Sequence, residues 1–300
     1  MNLRKRHQMT RFIYLTDTHL GACNDSGYHT QPRRVNLAEA LVEALGRWID
    51  RHDVDFVLHG GDIVDAATAE LIHRSTVLFS RLTVPTYLCL GNHDLMEPGA
   101  IEQWRTLHDG MLPGGKETFS LRFNEFALYV LAHHYGSTDP PHFWDAEGGT
   151  DTQRPVLDAT QRSEFESYVA RIDRPVIVAV HAMMNAVPAE QCGAEEDQHA
   201  PDRQFHEFFA DTARRHGGIR LFLAGHNHVN TIVDQELFVS TTTASFTEGR
   251  FDARVITVRD GTIDVQTVSF ADNLDEPIEV GREFAGVYGG PAQRSCVIRC

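Results

Sequence analysis

Seven side chains able to bind a metal follow five short apolar runs of the chain. They are Asp17 and His19, Asp62, Asn92, His181, and the pair His226 and His228. Oxygen and imidazole donors without a thiolate suit manganese, iron, zinc or cobalt. Seven donors exceed what one tetrahedral ion needs, so two ions are the economical reading. Asp62 can bridge them because a carboxylate has two oxygens. In extended backbone, residues i and i+2 point the same way. Asp17 with His19, and His226 with His228, are therefore expected to offer two ligands each to one point. Each motif alone is weak: Asp17 could cap a turn, a lone His181 could be a core histidine, and Gly225-His-Asn-His228 could be an exposed turn. Five of them in order, each directly after a strand candidate, are hard to explain by structure alone.

The elements that must position these residues are readable from the apolar pattern. Phe12–Leu15, Phe56–Leu58 and Pro85–Leu90 read as buried strands, alternating with helices over Arg33–His52 and Leu71–Leu82. Alternation of this kind indicates a largely parallel sheet with helices packed on it, and ligands of such sheets sit at the carboxyl ends of the strands. Farther along, Thr118–Phe123 and Phe126–Ala132 read as a hairpin, Gly136–Pro155 as a long loop and Leu157–Ile172 as a helix. Pro175–Val180 is a buried strand ending at His181. Ala186–Pro201 is an acidic loop, Asp202–His216 a helix and Ile219–Ala224 a strand. Thr231–Val233, Leu237–Thr241, Arg254–Val258 and Thr262–Val268 read as a meander in a second sheet. From Ala271 the pattern fades, which predicts a mobile extension over 271–300 after one domain covering 1–270.

Composition narrows the function classes. The chain has 300 residues, 42% apolar and 23% charged, which fits a soluble globular protein with a full core. The net charge of −15 disfavours the nucleic-acid backbone and anionic membranes as partners. Five scattered cysteines without a Cys-x-x-Cys pair argue against a disulfide framework and for a reducing compartment. The basic start is followed by too short an apolar stretch for a signal peptide, no run is long enough to span a bilayer, and the chain lacks a prenylation box. A cytoplasmic location is the expectation, and a homodimer is the base-rate oligomer.

As an ordered set, Asp17-Thr-His19, Gly61-Asp62-Ile-Val-Asp65, Gly91-Asn-His-Asp94, His181 and Gly225-His-Asn-His228 resemble the signature of the calcineurin-like metallophosphoesterases. The spacing, with the Leu157-Asp-Ala-Thr-Gln161 stretch ahead of His181, is most similar to the bacterial class III cyclic-nucleotide phosphodiesterases and glycerophosphodiesterases. The resemblance implies an α/β fold of two facing mixed β-sheets flanked by helices, an αββα sandwich. It implies one metal on Asp17, His19, Asp62 and His228 and a second on Asp62, Asn92, His181 and His226. His93 would act on the substrate and Asp94 would orient His93. Manganese or iron would be the first choice of metal, with zinc or cobalt as alternatives.

The implied activity is hydrolysis of a phosphate ester, foremost a diester of a small molecule such as a cyclic nucleotide or a glycerophosphodiester, with a hydroxide shared by the two ions as nucleophile. Phosphomonoesters stay open, and so do two other classes: a repair-type nuclease of the same superfamily and a non-catalytic scaffold. The missing basic stripe argues against the nuclease, and the complete ligand set against the scaffold. One departure is visible: many relatives carry a second histidine after the His181 position, where this chain has Ala182. That change costs no ligand and bears on the pocket wall. His59 reads either as a neighbour of the ligands or as a core residue. His133 and His134 are weaker candidates for substrate contact, and His29, His142 and His199 read as solvated loop residues. Asp65 reads as a helix cap or as support for a ligand. Ile101, Trp104 and Leu107 read as core.

Overall fold

The computed structural model describes residues 9–23, 32–108, 110–274 and 285–300; His29 and the start of the chain lie outside them. Fourteen strands occur among these residues. In chain order they are β1 (Met9–Leu15), β2 (Phe56–His59), β3 (Thr86–Leu88), β4 (Phe119–Arg122), β5 (Ala127–Val130), β6 (His134–Tyr135), β7 (Pro155–Val156), β8 (Val176–Ala179), β9 (Ile219–Ala224), β10 (Thr231–Asp234), β11 (Val239–Thr242), β12 (Asp252–Arg259), β13 (Thr262–Ser269) and β14 (Ser295–Arg299). Twelve of them build two six-stranded sheets, ordered β14-β13-β12-β1-β2-β3 and β10-β11-β9-β8-β5-β4. Both sheets are mixed. β1, β2 and β3 run parallel while β12 pairs antiparallel with β1, and β5, β8, β9 and β11 run parallel between antiparallel edges.

The sheets face each other across a core whose centre is a run of stacked rings. Phe12 and Phe56 of the first sheet stack at 4.6 Å, Phe12 lies 6.1 Å from Phe126, and Phe126 stacks on Phe123 at 4.6 Å. Period-two alternation sorts the side chains of β8: Ile177 and Ala179 join this inner core, while Val176 and Val178 meet Phe165, Phe205 and Phe209 from the outer helices. Those helices have plain local causes. Asp158 caps Ala159–Arg171 through a capping box with Gln161, so the Leu157–Gln161 stretch is a helix start. Asp202 caps Arg203–His216, which ends at Gly217 in the left-handed region. Helices Ala38–Ile49 and Ala69–Phe79 bury their apolar stripes in the inner cluster. Among the described residues no helix is long and apolar enough to cross a membrane.

Two expectations are corrected. The four late strands do not form one meander: β10 and β11 stay with the second sheet, whereas β12 and β13 cross to the first. The crossing segment is fixed behind the site. Phe246 N donates to Thr16 O at 2.9 Å, Ser245 Oγ to Asp17 O at 2.6 Å and Thr247 Oγ1 to Thr18 O at 3.0 Å. The fading pattern after Ala271 also conceals structure, because β14 pairs antiparallel with β13 and closes one edge of the first sheet. Its alternation escapes notice because Val297 and its outward neighbours face solvent.

Candidate metal centre

The seven donors come from loops at the carboxyl ends of β1, β2, β3, β8 and β9. The first two of these loops are zipped together by backbone bonds: Asp17 N to Gly61 O at 2.9 Å, His19 N to Asp62 O at 2.9 Å and Leu20 N to Ile63 O at 3.0 Å. The expected extended backbone is absent. Asp17, His19, Asp62, His226 and His228 all have φ between 49° and 73°. Left-handed backbone at a residue other than glycine costs about 1–3 kcal/mol and persists only where its surroundings impose it. The donors thus converge through a row of left-handed turns and not by strand alternation. Glycines leave the room: a Cβ on Gly91 would stand 2.2 Å from Asp62 Oδ1, and one on Gly225 2.6 Å from Asp17 Oδ2.

Three groups of ligand atoms lie within 4.8 Å of one another: Asp17 with His19 and His228, Asp62 with His181 and His226, and His19 with Asp62 and His93. His19 Nε2 and His228 Nε2 are 3.2 Å apart, and His228 Nε2 is 3.2 Å from Asp17 Oδ1. Asp62 Oδ2 lies 3.2 Å from His181 Nε2 and 3.7 Å from His19 Nε2. His226 Nδ1 is 2.8 Å from Asn92 Oδ1. Each carboxylate aims one oxygen inward and ties down the other. Asp62 Oδ1 accepts from His93 N at 2.8 Å, and Asp17 Oδ2 accepts from Thr16 Oγ1 at 2.7 Å. The atom of Asp62 between the two groups is therefore the single oxygen Oδ2, where the sequence suggests one oxygen per ion.

The donor set fits a pair of metal ions. His181 Nε2 is buried and has no hydrogen-bond partner among the described residues, while its Nδ1 bonds Gly60 O at 2.8 Å. That turns Nε2, the atom from which a metal would displace a proton, into the group beside Asp62 Oδ2. With metal–nitrogen bonds of about 2.0–2.1 Å, two ligands of one tetrahedral ion stand roughly 3.3 Å apart, close to the separations above. The imidazoles are backed as metal-bound histidines are: His228 Nδ1 meets Glu248 Oε2 at 2.9 Å and His19 Nδ1 meets Asp65 Oδ1 at 3.2 Å.

Burial and charge oppose each other here. Burial pushes the His228 pKa down, but Glu248 and Asp17 lift it to about 10. Burial likewise opposes His181, which Asp62 and Asp17 raise to about 9. Burial raises Asp62, yet His181, His93 and His19 hold it well below the carboxylate range, and His228 and His181 do the same for Asp17. Burial takes His226 down to about 4. The pocket therefore keeps Asp17 and Asp62 ionised, while burial and Asp62 push Asp94 up to about 8, and cations bound there would compete with the protons of His181 and His228.

His93 sits at the more open side, 23% exposed, whereas His19, His181 and His228 are at most 5% exposed. Its Nδ1 donates to Asp65 O at 2.9 Å, and Trp144 lies beside the ring at 5.3 Å between centroids. Asp94 does not orient His93. Its carboxylate accepts from the backbone N–H groups of Asp62, Ile63, Val64 and Gly91 at 2.8–3.2 Å, so it shapes the loop that carries Asp62. Asp65 is the carboxylate beside His93, 3.6 Å from Nδ1.

The weaker candidates also find their places. His59 is fully buried against Thr18 Oγ1 at 2.6 Å, and burial lowers its pKa to about 3. His134 bonds Asp158 at 3.0 Å and stacks on His142. His142 is buried and lies 3.4 Å from Glu117, not solvated as its loop suggests. Ala182 packs into the outer core with Met184 and Phe205. Ile101 and Trp104 are core residues, and Trp104 Nε1 donates to Asp94 O at 2.9 Å. Glu248 and Arg33, which join the site from behind, carry no signal in the sequence.

Residues 10–230 match the family model of the calcineurin-like phosphoesterases. The chain belongs to this family of metal-dependent phosphoester hydrolases. Solved structures share the fold at low identity. A dimetal phosphatase from Danio rerio superposes with a TM-score of 0.68 at 13% identity, covering 87% of this chain and 96% of its own. GAP50, the anchor in the inner membrane complex of Plasmodium, gives 0.59 at 11%, covering 93% and 95%. The purple acid phosphatase PPD1 of yellow lupin gives 0.57 at 14%, covering 97% of this chain and 54% of its own. No curated protein matches the chain.

Proposed function

We propose that the protein is a dinuclear-metal phosphodiesterase acting on a small diester, with a cyclic nucleotide or a glycerophosphodiester as the substrate class. The observation that carries the reading is the inward oxygen of Asp62 standing between two groups of donors. Asp17, His19 and His228 would hold one ion with Asp62, and Asn92, His181 and His226 would hold the other with it. Ions bound there would supply Lewis acidity, lowering the pKa of water and offsetting charge on the phosphoryl oxygens.

The chain's own residues supply the rest. The Asp65 carbonyl accepts from His93 Nδ1 and fixes the ring, so that in its doubly protonated form Nε2 would give its proton to the departing alkoxide and leave the ring neutral. General-acid help of this kind is worth about 10²–10⁴ in rate. Trp144 lies beside the His93 ring, 5.3 Å between centroids. The diester preference rests on the resemblance of the motif spacing to class III phosphodiesterases. The charge of −15 favours a small substrate over a polyanion, and the same ligand set suits manganese or iron.

A substrate panel tests the reading: bis(p-nitrophenyl) phosphate, p-nitrophenyl phosphate, cyclic AMP, cyclic GMP, glycerophosphocholine and single-stranded DNA, each with manganese, iron, zinc and cobalt. Faster turnover of small diesters than of the monoester is expected. Monoester turnover alone would make the enzyme a phosphatase. Two bound metals without turnover would favour a scaffold.

A further inference from the structure

Behind the donors Asp17, His19 and His228, five side chains from separate parts of the chain form a closed circuit. His19 Nδ1 meets Asp65 Oδ1 at 3.2 Å. The same Asp65 oxygen accepts from Arg33 NH1 at 3.2 Å. Arg33 Nε donates to Glu248 Oε1 at 3.0 Å, and Glu248 Oε2 meets His228 Nδ1 at 2.9 Å. The circuit closes where His19 Nε2 and His228 Nε2 stand 3.2 Å apart. Backbone contacts hold the outer end: Arg33 bridges Glu248, and Arg34 N donates to Thr247 O at 2.7 Å.

We infer that Arg33 is a positioning residue of the metal centre, clamping the two carboxylates that orient His19 and His228 and so setting the affinity of that half for its ion. The inference rests on the dinuclear reading above. A carboxylate behind a histidine fixes its ring only if the carboxylate is itself held. Asp65 is 32% exposed and would otherwise swing into water. The guanidinium is planar and carries donors on different nitrogens, so one side chain can bond two carboxylates at once. It also offsets the charge of two carboxylates packed together. Lysine, a point charge on a flexible stem, cannot reproduce the fork. Arg33 does not face the other half, where His181 leans on the Gly60 carbonyl.

The test is metal content and affinity in the purified full chain, read after dialysis against limiting manganese, with far-ultraviolet circular dichroism to confirm folding. Loss of a group that supports a metal ligand costs about 10–100-fold in affinity. Arg33→Ala is expected to hold close to one ion per chain where the unaltered protein holds two, with the first affinity lost by that factor. Arg33→Lys should recover only part. Cobalt spectra locate the loss: Arg33→Ala should match His228→Ala and differ from His181→Ala. Retention of both ions with only a raised KM would overturn the inference and make Arg33 a substrate contact. Equal loss from both halves would overturn it as well. If the unaltered protein itself failed to bind two ions, the dinuclear reading would fall and this inference with it; intact loading with an indifferent Arg33 would sink the inference alone.

Discussion

His19 and His228 each turn their Nδ1 toward a carboxylate, Asp65 and Glu248, whereas His181 turns its own to the Gly60 carbonyl. Among the described residues no carboxylate bonds the His226 ring. The two halves of the centre thus use the same residue types but are held by different means. One depends on charged side chains brought from far along the chain. The other leans on main chain that the strand ends already fix. A carboxylate makes an imidazole a more basic ligand, and a carbonyl fixes its tautomer without adding charge. The first half should therefore respond to substitution of its supporting residues, while the second should respond only to substitution of the ligands themselves.

The largest expected effect comes from erasing the distinction. Asp62→Asn keeps an oxygen for His93 N but weakens the one donor that both halves share. Metals contribute several kcal/mol to the transition state, so turnover should fall roughly 10³-fold or more, and metal analysis should find well under two ions per chain. A variant that stayed fully loaded and active would remove Asp62 from its place between the halves.

A smaller and more selective loss is expected from His93→Ala. The ring lies beside both His19 and Asp62 but is 23% exposed, unlike the buried His19, His181 and His228. Both ions should stay while the rate drops about 10²–10⁴-fold. If metal content fell instead, His93 would join the ligands and the contrast between the halves would need redrawing.

The smallest effect is a control away from both. Glu117 is held below its ordinary value of 4.5: burial pushes it up, but His142 and Arg105 outweigh burial. A depressed carboxylate stabilises the fold above its unfolded pKa and loses that contribution as pH falls through the folded one. Thermal melts of Glu117→Gln should therefore lie below those of the unaltered protein at neutral pH, and the two should converge as the pH drops below 4.5. At neutral pH the metal content of Glu117→Gln should equal that of the unaltered protein. A gap that widened on acidification would contradict the sign.

The donors are legible in the sequence because metal-binding side chains are rare immediately after buried strands, and five strand ends repeat the pattern. The helices are legible from their periodicity and caps. What escapes has long-range causes. Glu248 reaches His228 across 20 residues, and Arg33 reaches Glu248 across 215; no local spacing marks either. Asp94 looks like a partner for the neighbouring His93, yet a turn curls it back onto four backbone amides. The crossing of β12 to the first sheet depends on pairing with β1, which the local pattern of β12 cannot reveal. His142 sits in a polar stretch but is drawn inside by Glu117.

The crossing segment behind Asp17 has a consequence for how the molecule is made. His19 and His228 are separated by 209 residues, and the stretch from Ser245 to Glu248 must dock before the β1 loop is pinned. Contacts of such sequence separation form slowly. During synthesis, a nascent chain would expose Asp17, His19 and Asp62 long before the ribosome delivers their distant partners. A complete site for ions would then arise late in biogenesis, once the whole second sheet but only β1, β2 and β3 of the first have been translated.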